Sequence, residues 1–328
     1  MPTMRAVVIE GFGGPDVLRI EDVPQPDPCA GDIRVRVHAF GVNRADLLQR
    51  RGMYPAPANV PQDIPGLEYA GEIDAVGSGV KGLEVGDRVM GIVGGGAYAQ
   101  YLTTPAEHVV AAPAGLSLVE AAAIPEAFIT AHDALERLAV VRGEWVLIHA
   151  VGSGVGTAAL QLAVSRGAYC IGTSRTSAKL AKAADLGMKV GINTATEDLR
   201  DAVLQAVSGG VAAVVDLIGG PLFTKTLDVM GSRGRIVVVG LTAGNKVELD
   251  LGLLLRKRIR VEGTVLRSRS AVEKAELVES FRAKVLPLFA QASVRPVVDR
   301  VFDFDEVQAA HQHLESNASF GKVVVTVG

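Results

Sequence analysis

Cysteine is scarce in this sequence, with two residues, Cys29 and Cys170, in a chain of 328. A structural zinc site built from thiolates needs more cysteines than that. Cys29 falls in a proline-rich segment and Cys170 in an apolar segment predicted to be a buried strand, so no disulfide is expected between them. The composition therefore excludes a cysteine-rich zinc lobe and a fold held together by disulfides.

Long apolar runs and an excess of charge of either sign are also missing. No run approaches the ~20 apolar residues that a transmembrane helix needs. The sequence opens Met1-Pro2-Thr3-Met4-Arg5 and soon turns charged, so it does not resemble a secretory signal. The net charge is −3, and basic residues do not cluster with aromatic ones. These features favour neither a nucleic acid nor an anionic membrane as partner, and we expect a cytoplasmic protein.

The first part of the chain carries the pattern of β-strands. Residues 4–9 are apolar except for Arg5, and from Ile33 and Val35 onward apolar residues alternate with charged or polar ones. A period of two is typical of a half-buried strand. Glycine and proline interrupt this part often, which predicts many turns. Residues 297–328 return to the same pattern, so the β-rich domain is predicted to be discontinuous.

From about residue 121 the pattern changes to an alternation of strands and helices. The strands are nearly continuous apolar runs, which is typical of a parallel sheet covered by helices on both faces. This predicts an α/β fold with a doubly wound, Rossmann-type sheet. One long helix is expected over residues 271–290. The predicted strands are 145–150, 169–173, 213–218, 235–240 and 261–266, and the predicted helices are 157–166, 178–186 and 197–207.

A glycine-rich turn follows the first strand of this sheet and opens a helix. Small residues allow the backbone to turn sharply, and the free N–H groups of the helix stabilise a pyrophosphate. The spacing is GxGxG, one residue short of the usual fingerprint, but the strand before it and the helix after it are the required context. The alternative is a merely structural turn. The residues predicted to bind the pyrophosphate are Gly152, Ser153, Gly154, Val155 and Gly156.

No acidic residue follows the second strand of the sheet, where an NAD site places Asp or Glu against the ribose 2′-hydroxyl. Ser174, Arg175 and Lys179 stand there instead, and all three can donate hydrogen bonds to a 2′-phosphate. Charge-assisted hydrogen bonds contribute about 1.5–3 kcal/mol each. The sequence therefore predicts NADPH as the cofactor. The alternative is that the two cations are solvated charges at a helix start.

Several motifs resemble the medium-chain dehydrogenase/reductase superfamily, in its zinc-independent quinone oxidoreductase branch. Within that branch they are most similar to the stress-inducible NADPH:quinone oxidoreductase of mammals. The resemblance implies a GroES-like catalytic domain over residues 1–122 and 268–328 and a Rossmann domain over residues 123–267. It also implies a homodimer joined through strands near residues 261–266. The motifs are VNRAD at 42–46, GLE at 66–68, VGDRV at 85–89, AIPEAFIT at 123–130, HAVGSGVGTAA at 149–159, DLIGG at 216–220 and LRSR at 266–269.

Two departures from the zinc-dependent relatives bear on the chemistry. Asn43 stands where those relatives carry a cysteine ligand, and Leu67 stands where they carry a histidine. A catalytic zinc needs three good protein ligands, so no metal is expected. The sequence contains no HExxH motif, and His311 and His313 are predicted to lie on a solvated helix face.

The resemblance also implies roles for individual residues. Asn43 would lie beside the nicotinamide and the substrate. Tyr54 would form the wall of the substrate pocket, stack on a flat acceptor and donate a hydrogen bond to its developing oxyanion. Without the resemblance, Asn43 is an ordinary turn residue and Tyr54 an ordinary loop aromatic. The residues expected to hold the nicotinamide ring or pack near it are Thr130, Gly240, Leu241 and Leu266.

Without a Lewis acid, an unactivated ketone or alcohol is a difficult substrate, whereas a quinone or a conjugated enone accepts hydride readily. The sequence therefore predicts an NADPH-dependent oxidoreductase that reduces quinones by hydride or single-electron transfer. The alternative in the same class is reduction of the C=C bond of enones or enals, for which Tyr54 is the predicted donor of the proton at the α-carbon. A third reading, from a different class, is a protein that binds NADPH without turnover.

Overall fold

Fifteen strands and eleven α-helices make up the computed structural model, which describes residues 2–328. Three short 3-10 turns lie at residues 15–17, 106–108 and 304–306. The strands are β1 (Thr3–Ile9), β2 (Leu18–Pro24), β3 (Asp32–Val42), β4 (Glu68–Val76), β5 (Arg88–Ile92), β6 (Tyr101–Pro105), β7 (Val109–Ala111), β8 (Trp145–Ile148), β9 (Tyr169–Ser174), β10 (Val190–Asn193), β11 (Val211–Asp216), β12 (Met230–Val238), β13 (Arg260–Gly263), β14 (Val298–Asp303) and β15 (Lys322–Thr326). The helices are α1 (Arg44–Arg50), α2 (Leu118–Ala121), α3 (Pro125–Arg137), α4 (Gly154–Ser165), α5 (Ser177–Ala184), α6 (Leu199–Ala206), α7 (Gly220–Asp228), α8 (Leu251–Lys257), α9 (Ala271–Lys284), α10 (Leu286–Ala290) and α11 (Val307–Glu315).

The chain divides into two compact units, each with its own sheet and core. The first contains the residues up to Ile129 and those from Leu266 onward, and the second contains Thr130–Val265. The boundary between Ile129 and Thr130 falls inside α3, which is an unbroken helix from Pro125 to Arg137. The division drawn from the sequence alone lies before this helix, after residue 122.

The first unit is built around β3, which has more neighbours than any other strand of its sheet. The strand order is β14-β15-β3-β4-β5-β7, with β6 also paired to β3, and β1 and β2 form a separate antiparallel pair. Ile33 and Val35 point into the core, while Arg34 and Arg36 lie on the other face of β3. The alternation that predicted this strand is thereby confirmed.

Strand β15 returns from the far end of the chain to pair with β3. The two strands run antiparallel, and Val323 lies opposite Val42. This register brings Lys322 to the end of β3, next to the segment that leads into α1. Because that segment contains Asn43, the two ends of the first unit meet at a predicted site residue.

The second unit contains the doubly wound sheet that the sequence predicts. Its six strands are all parallel, in the order β10-β9-β8-β11-β12-β13. This is the strand order of dinucleotide-binding folds. The five predicted strands are all present. The sixth, β10, was missed because it is four residues long and contains a glycine, so it shows no clear apolar period.

The single long helix predicted over residues 271–290 is wrong. Helix α9 ends at Lys284, Val285 leaves the regular geometry, and α10 carries Pro287 at its second position. Proline has no N–H to donate, and its ring clashes with the preceding turn. The chain therefore forms two helices, because proline is tolerated at the start of a helix and not in its middle.

The solvated helix face predicted for the two histidines of α11 is also wrong. His311 is fully buried, and its ring nitrogens lie 3.1 Å from the Tyr98 hydroxyl and 3.2 Å from an Arg50 nitrogen. Burial lowers the pKa of His311 to about 3, so the ring is neutral. His313 is half-buried and contacts the Asp299 carboxylate at 2.7 Å. The flanking Gln and Ala residues carry no signal that this face of α11 packs on the sheet.

Both cysteines are free, with Cys29 exposed and Cys170 buried in β9. Burial raises the pKa of the Cys170 thiol to about 12, which keeps it protonated and unreactive. Across residues 2–328, none of the helices combines the length and the apolar character that a membrane span requires.

Candidate functional site

In the second unit, the glycine turn lies between β8 and α4. Ala150 adopts a positive φ of 47°, which lets the chain reverse after the strand. Ser153 caps α4, and its hydroxyl accepts a hydrogen bond from the Gly156 N–H at 3.1 Å. The predicted pyrophosphate-binding residues 152–156 therefore surround the start of a twelve-residue helix.

The glycine turn fits a dinucleotide phosphate in two respects. A Cβ at Gly156 would lie 2.4 Å from the Ala150 carbonyl oxygen, so no larger residue allows this close approach. The N–H groups of Gly154 and Val155 have no acceptor within residues 2–328. Unpaired N–H groups at a helix N-terminus attract anions. The turn can therefore hold a phosphate with main-chain donors.

The predicted 2′-phosphate residues lie at the same edge of the sheet as the glycine turn. Strands β8 and β9 are parallel neighbours, so their carboxyl ends meet at one edge, and Ser174 is the last residue of β9. Arg175 is exposed and makes no hydrogen bond or ion pair with the part of the chain that the structure describes. Lys179 lies in the first turns of α5. The arrangement leaves Arg175 available to an anion.

The residues predicted to hold the nicotinamide are divided between the units. Thr130 is buried in the second unit, and its hydroxyl has no hydrogen-bond partner among residues 2–328. Gly240 follows β12, and Leu241 after it is exposed. Leu266 is buried and belongs to the first unit. The Thr130 hydroxyl is an unsatisfied buried group of the kind that a ligand satisfies.

In the first unit, Asn43 immediately precedes α1. Its main-chain N–H donates to the Asp46 carboxylate at 2.7 Å. Its side-chain nitrogen donates to Glu68 at 2.8 Å and to the Gly41 carbonyl at 3.3 Å, and its side-chain oxygen accepts from the Lys322 ammonium at 2.6 Å. Because both ends of the amide are engaged, Asn43 is held in one orientation.

Lys322 and Glu68 form a buried ion pair beside Asn43. The ammonium lies 2.5 Å from the Glu68 carboxylate, and the two side chains are 6% and 0% exposed. The second Glu68 oxygen accepts the main-chain N–H of Glu126 at 2.8 Å. A Cβ at Gly41 would lie 2.2 Å from the Glu68 carboxylate, so glycine is required there to make room for the pair.

The residues around Asn43 do not fit a catalytic zinc. Leu67 is a buried aliphatic side chain, and both Glu68 and the Asn43 oxygen bind the Lys322 ammonium. Within residues 2–328 no cluster of three or more His, Cys, Asp or Glu side chains is placed to hold a metal ion. A protein ammonium thus supplies the positive charge at this point.

Tyr54 is half-buried and is held by Arg267. The Arg267 guanidinium lies 5.1 Å from the centre of the Tyr54 ring and donates to the Tyr54 carbonyl oxygen at 3.1 Å. Its other nitrogens donate to the Gly94 carbonyl at 2.7 Å and to the Gln49 side chain at 2.5 Å. Burial, with a smaller effect of the nearby Glu126 carboxyl, raises the pKa of Tyr54. Arg267 therefore fixes both the ring and the loop that carries it.

A second group of buried polar residues extends away from Asn43. Asp46, which accepts the Asn43 N–H, also accepts the Tyr98 hydroxyl at 3.0 Å, and Tyr98 contacts His311. Burial raises the pKa of Asp46 to about 6, against the lowering effect of these hydrogen bonds. The group anchors the start of α1 to α11, so Asn43 rests on a rigid support.

Sequence reasoning predicted Asn43 and Tyr54 but missed the residues that hold them. Lys322 lies 279 positions from Asn43 in a short apolar strand, where a lone lysine is the only signal. Arg267 belongs to the LRSR motif at residues 266–269, but the sequence predicts no role for it. Glu68 was noted only as the neighbour of Leu67. Only the pairing of β15 with β3 shows that Lys322 lies next to Asn43.

The fold and these residues are those of an oxidoreductase with two units, one of which carries a dinucleotide-binding sheet. Residues 29–114 match the alcohol dehydrogenase GroES-like domain, and residues 154–281 match the zinc-binding dehydrogenase family. The mouse synaptic vesicle membrane protein VAT-1 homolog-like is 31% identical over 99% of this chain and 81% of its own length. The chain belongs to the medium-chain dehydrogenase/reductase superfamily.

Two further comparisons name activities of related proteins. A quinone oxidoreductase of Pseudomonas aeruginosa is 31% identical over 98% of this chain and 99% of its own length. The crystal structure of CurK enoyl reductase superposes with a TM-score of 0.89 at 26% identity, covering all of both chains. Members of this superfamily bind nicotinamide dinucleotides, and the protein is an oxidoreductase of that family.

The buried ion pair predicts a large effect of replacing Lys322 with Met. The change leaves the Glu68 carboxylate buried without a counter-charge, which costs about 3–5 kcal/mol of the free energy of unfolding. Urea denaturation followed by circular dichroism measures this loss. We expect the double variant Lys322→Met/Glu68→Gln to recover most of it, because no charge is then left unpaired.

A matched control for this experiment is Arg19→Met, which breaks an ion pair with Glu10 between two exposed side chains. Exposed pairs contribute little, so this variant should unfold almost as the wild type does. Equal destabilisation of the single and double variants at Lys322 would contradict the assignment.

Proposed function

We propose that the protein reduces quinones with NADPH, by hydride or single-electron transfer and without a metal. The observation that carries the proposal is the Lys322 ammonium held between Glu68 and Asn43. A lysine bound by two protein groups cannot polarise a substrate carbonyl as an open metal ion does. The acceptor must therefore already be reactive toward hydride, as a quinone is.

The chain's own residues then bind and orient the reactants. The glycine turn at residues 152–156 and the Thr130 hydroxyl supply donors for a nicotinamide dinucleotide, which carries the hydride when bound. Tyr54, fixed under Arg267, offers a flat apolar face and a phenolic O–H to an aromatic acceptor. Holding two reactants in contact supplies most of the acceleration that such a transfer needs. The rigid support of Asn43 serves the same positioning.

Reduction of the C=C bond of enones or enals is the second candidate. The full-length similarity to CurK enoyl reductase supports it. Both reductions take one proton with the hydride, but an enone takes it at the α-carbon and a quinone at an oxygen, so the two candidates differ in where the proton must be delivered. Binding of NADPH without turnover is the third candidate function. Within the quinone oxidoreductase branch, we also propose that the protein is most similar to the stress-inducible mammalian enzyme.

A steady-state screen of quinones and enones with purified protein tests the proposal. We expect NADPH-dependent turnover of quinones, and a loss of about tenfold in kcat/KM for Tyr54→Phe, because one hydrogen bond to the developing oxyanion is removed. Tyr169→Phe, on an exposed tyrosine of β9, is the control and should change nothing. Failure to reduce any quinone or enone with either NADPH or NADH would refute both catalytic candidates.

Cofactor preference gives a separate prediction. We expect Arg175→Ala, and to a lesser extent Lys179→Ala, to raise the KM for NADPH about tenfold while leaving NADH use nearly unchanged, because only NADPH carries the 2′-phosphate. Arg142→Ala removes another exposed arginine of the second unit and serves as control. An equal loss with both cofactors would show that Arg175 does not read the phosphate.

We also propose that two copies of the chain pair through β13. This strand is at the edge of its sheet and pairs with β12 alone among the described strands. Val261 on β13 and Leu255 on α8 are exposed, at 41% and 77%. An edge strand with unpaired N–H and C=O groups beside exposed apolar residues is suited to strand pairing between identical subunits.

The dimer is tested by placing like charges on this edge. We expect Val261→Lys to halve the mass seen by sedimentation velocity, because a twofold axis would bring two lysines together. Val272→Lys, on an exposed valine of α9 in the first unit, should leave the mass unchanged. A monomeric wild-type protein at micromolar concentration would overturn the proposal.

A further inference from the structure

Glu126 is tied by its main chain to the group around Asn43. It is the second residue of α3, and its N–H donates to the Glu68 carboxylate at 2.8 Å. That carboxylate in turn binds Lys322 and the Asn43 amide. Glu126 therefore has a fixed place beside Asn43, although neither the reasoning from the sequence nor the resemblance assigned it a role.

The Glu126 side chain is half-buried and unpaired. Its carboxyl makes no hydrogen bond and no ion pair with any residue from 2 to 328. A carboxylate withdrawn from water without a partner is costly, whereas the neutral acid is much less so. The location of Glu126 thus favours the protonated form.

The cations near Glu126 are committed to other groups. Lys322 binds Glu68 and Asn43, Arg267 donates to three acceptors around Tyr54, and Lys274 donates to the Arg267 carbonyl at 2.9 Å. The carboxyls of Glu68 and Asp46 add negative charge to the same surroundings. The nearby cations therefore attract the Glu126 carboxylate without pairing with it.

The net result favours the neutral acid. Burial, and secondly the charge of Glu68, raises the pKa of Glu126 to about 8, while Lys322 and Arg267 act in the opposite direction. The N-terminus of α3 also favours the charged form, but a helix dipole acts only weakly on a nearby carboxyl. Near neutral pH the carboxyl therefore carries its proton.

The Glu126 carboxyl also lies close enough to Tyr54 to influence its ionisation. Tyr54 is the proposed wall of the acceptor pocket, and a phenol with a raised pKa is a poor source of protons at neutral pH. A neutral carboxylic acid releases its proton far more easily than such a phenol does. Of the two groups, Glu126 is the better acid.

We propose that Glu126 is the proton donor of this site, giving its carboxyl proton to the acceptor as the hydride arrives. This inference rests on the proposed function and deepens it. In an enone, hydride forms the new bond at the β-carbon, and the electron pair of the C=C bond takes the Glu126 proton at the α-carbon. In a quinone, hydride and the Glu126 proton together give the hydroquinone. A bound reduced nicotinamide would supply the hydride and so lose two electrons, and the Glu126 carboxylate regains its proton from water.

The protonation of Glu126 is tested without turnover by infrared difference spectroscopy of wild-type protein against Glu126→Gln. We expect a protonated-carboxyl stretch in the wild type at neutral pH that is lost with a midpoint near pH 8 and is absent in the variant. Because the side chain makes no hydrogen bond, the glutamine variant should fold, which its thermal unfolding checks. A wild type without this band would overturn the inference.

The donor role is tested by the pH profile of enone reduction. Activity should be full below pH about 8 and decline above it, because a group with a raised pKa donates only while protonated. Glu126→Gln should lower kcat about a hundredfold and remove this decline. The control Glu107→Gln, on an exposed glutamate of the same unit, should retain the wild-type rate and profile.

These outcomes separate this inference from the proposed function. Full turnover by Glu126→Gln with an unchanged profile overturns the donor role and leaves the quinone or enone reductase intact. A wild type that binds NADPH but reduces no acceptor overturns the proposed function and the donor role together, whatever the infrared band shows.

Discussion

The ion pair between Lys322 and Glu68 is the contact on which the first unit depends. Both side chains lie inside the protein, where neither charge is tolerated without the other. The pair fixes the Asn43 amide from one side and, through Glu68, the start of α3 from the other. A charge of this kind, fixed and saturated by protein ligands, orients neighbouring groups but leaves no open position for a substrate. The proposed acceptor is for this reason one that already accepts hydride readily.

Most of the fold could be predicted from local patterns in the sequence. The alternation in β3 and the apolar runs of the parallel sheet report which faces are buried, and burial decides secondary structure in these elements. The glycine turn could also be predicted from the sequence, because the residues that form it are consecutive in the chain. The prediction of one long helix over residues 271–290 is wrong because it placed Pro287 inside a helix. Proline favours the start of a helix, and this preference is visible in the sequence itself.

The supporting residues of the site could not be read in the same way. Lys322, Arg267 and Glu126 acquire their roles only through partners far away in sequence, and a lone charged residue in an apolar strand has many meanings. His311 shows the same limit, since its burial depends on contacts with Tyr98 and Arg50 from two other parts of the first unit. The family resemblance predicts roles for Asn43 and Tyr54, and the structure shows which residues hold them in place.

The placement of β15 has a consequence for how the molecule is made. The strand that neutralises Glu68 is synthesised after the whole Rossmann sheet, so a growing chain carries an uncompensated carboxylate at the heart of its first sheet until that late strand docks. Contacts between residues so distant in sequence form slowly. The second unit, whose strands are contiguous in sequence, can complete its own core in the meantime, and we expect the first unit to be the last part to become ordered.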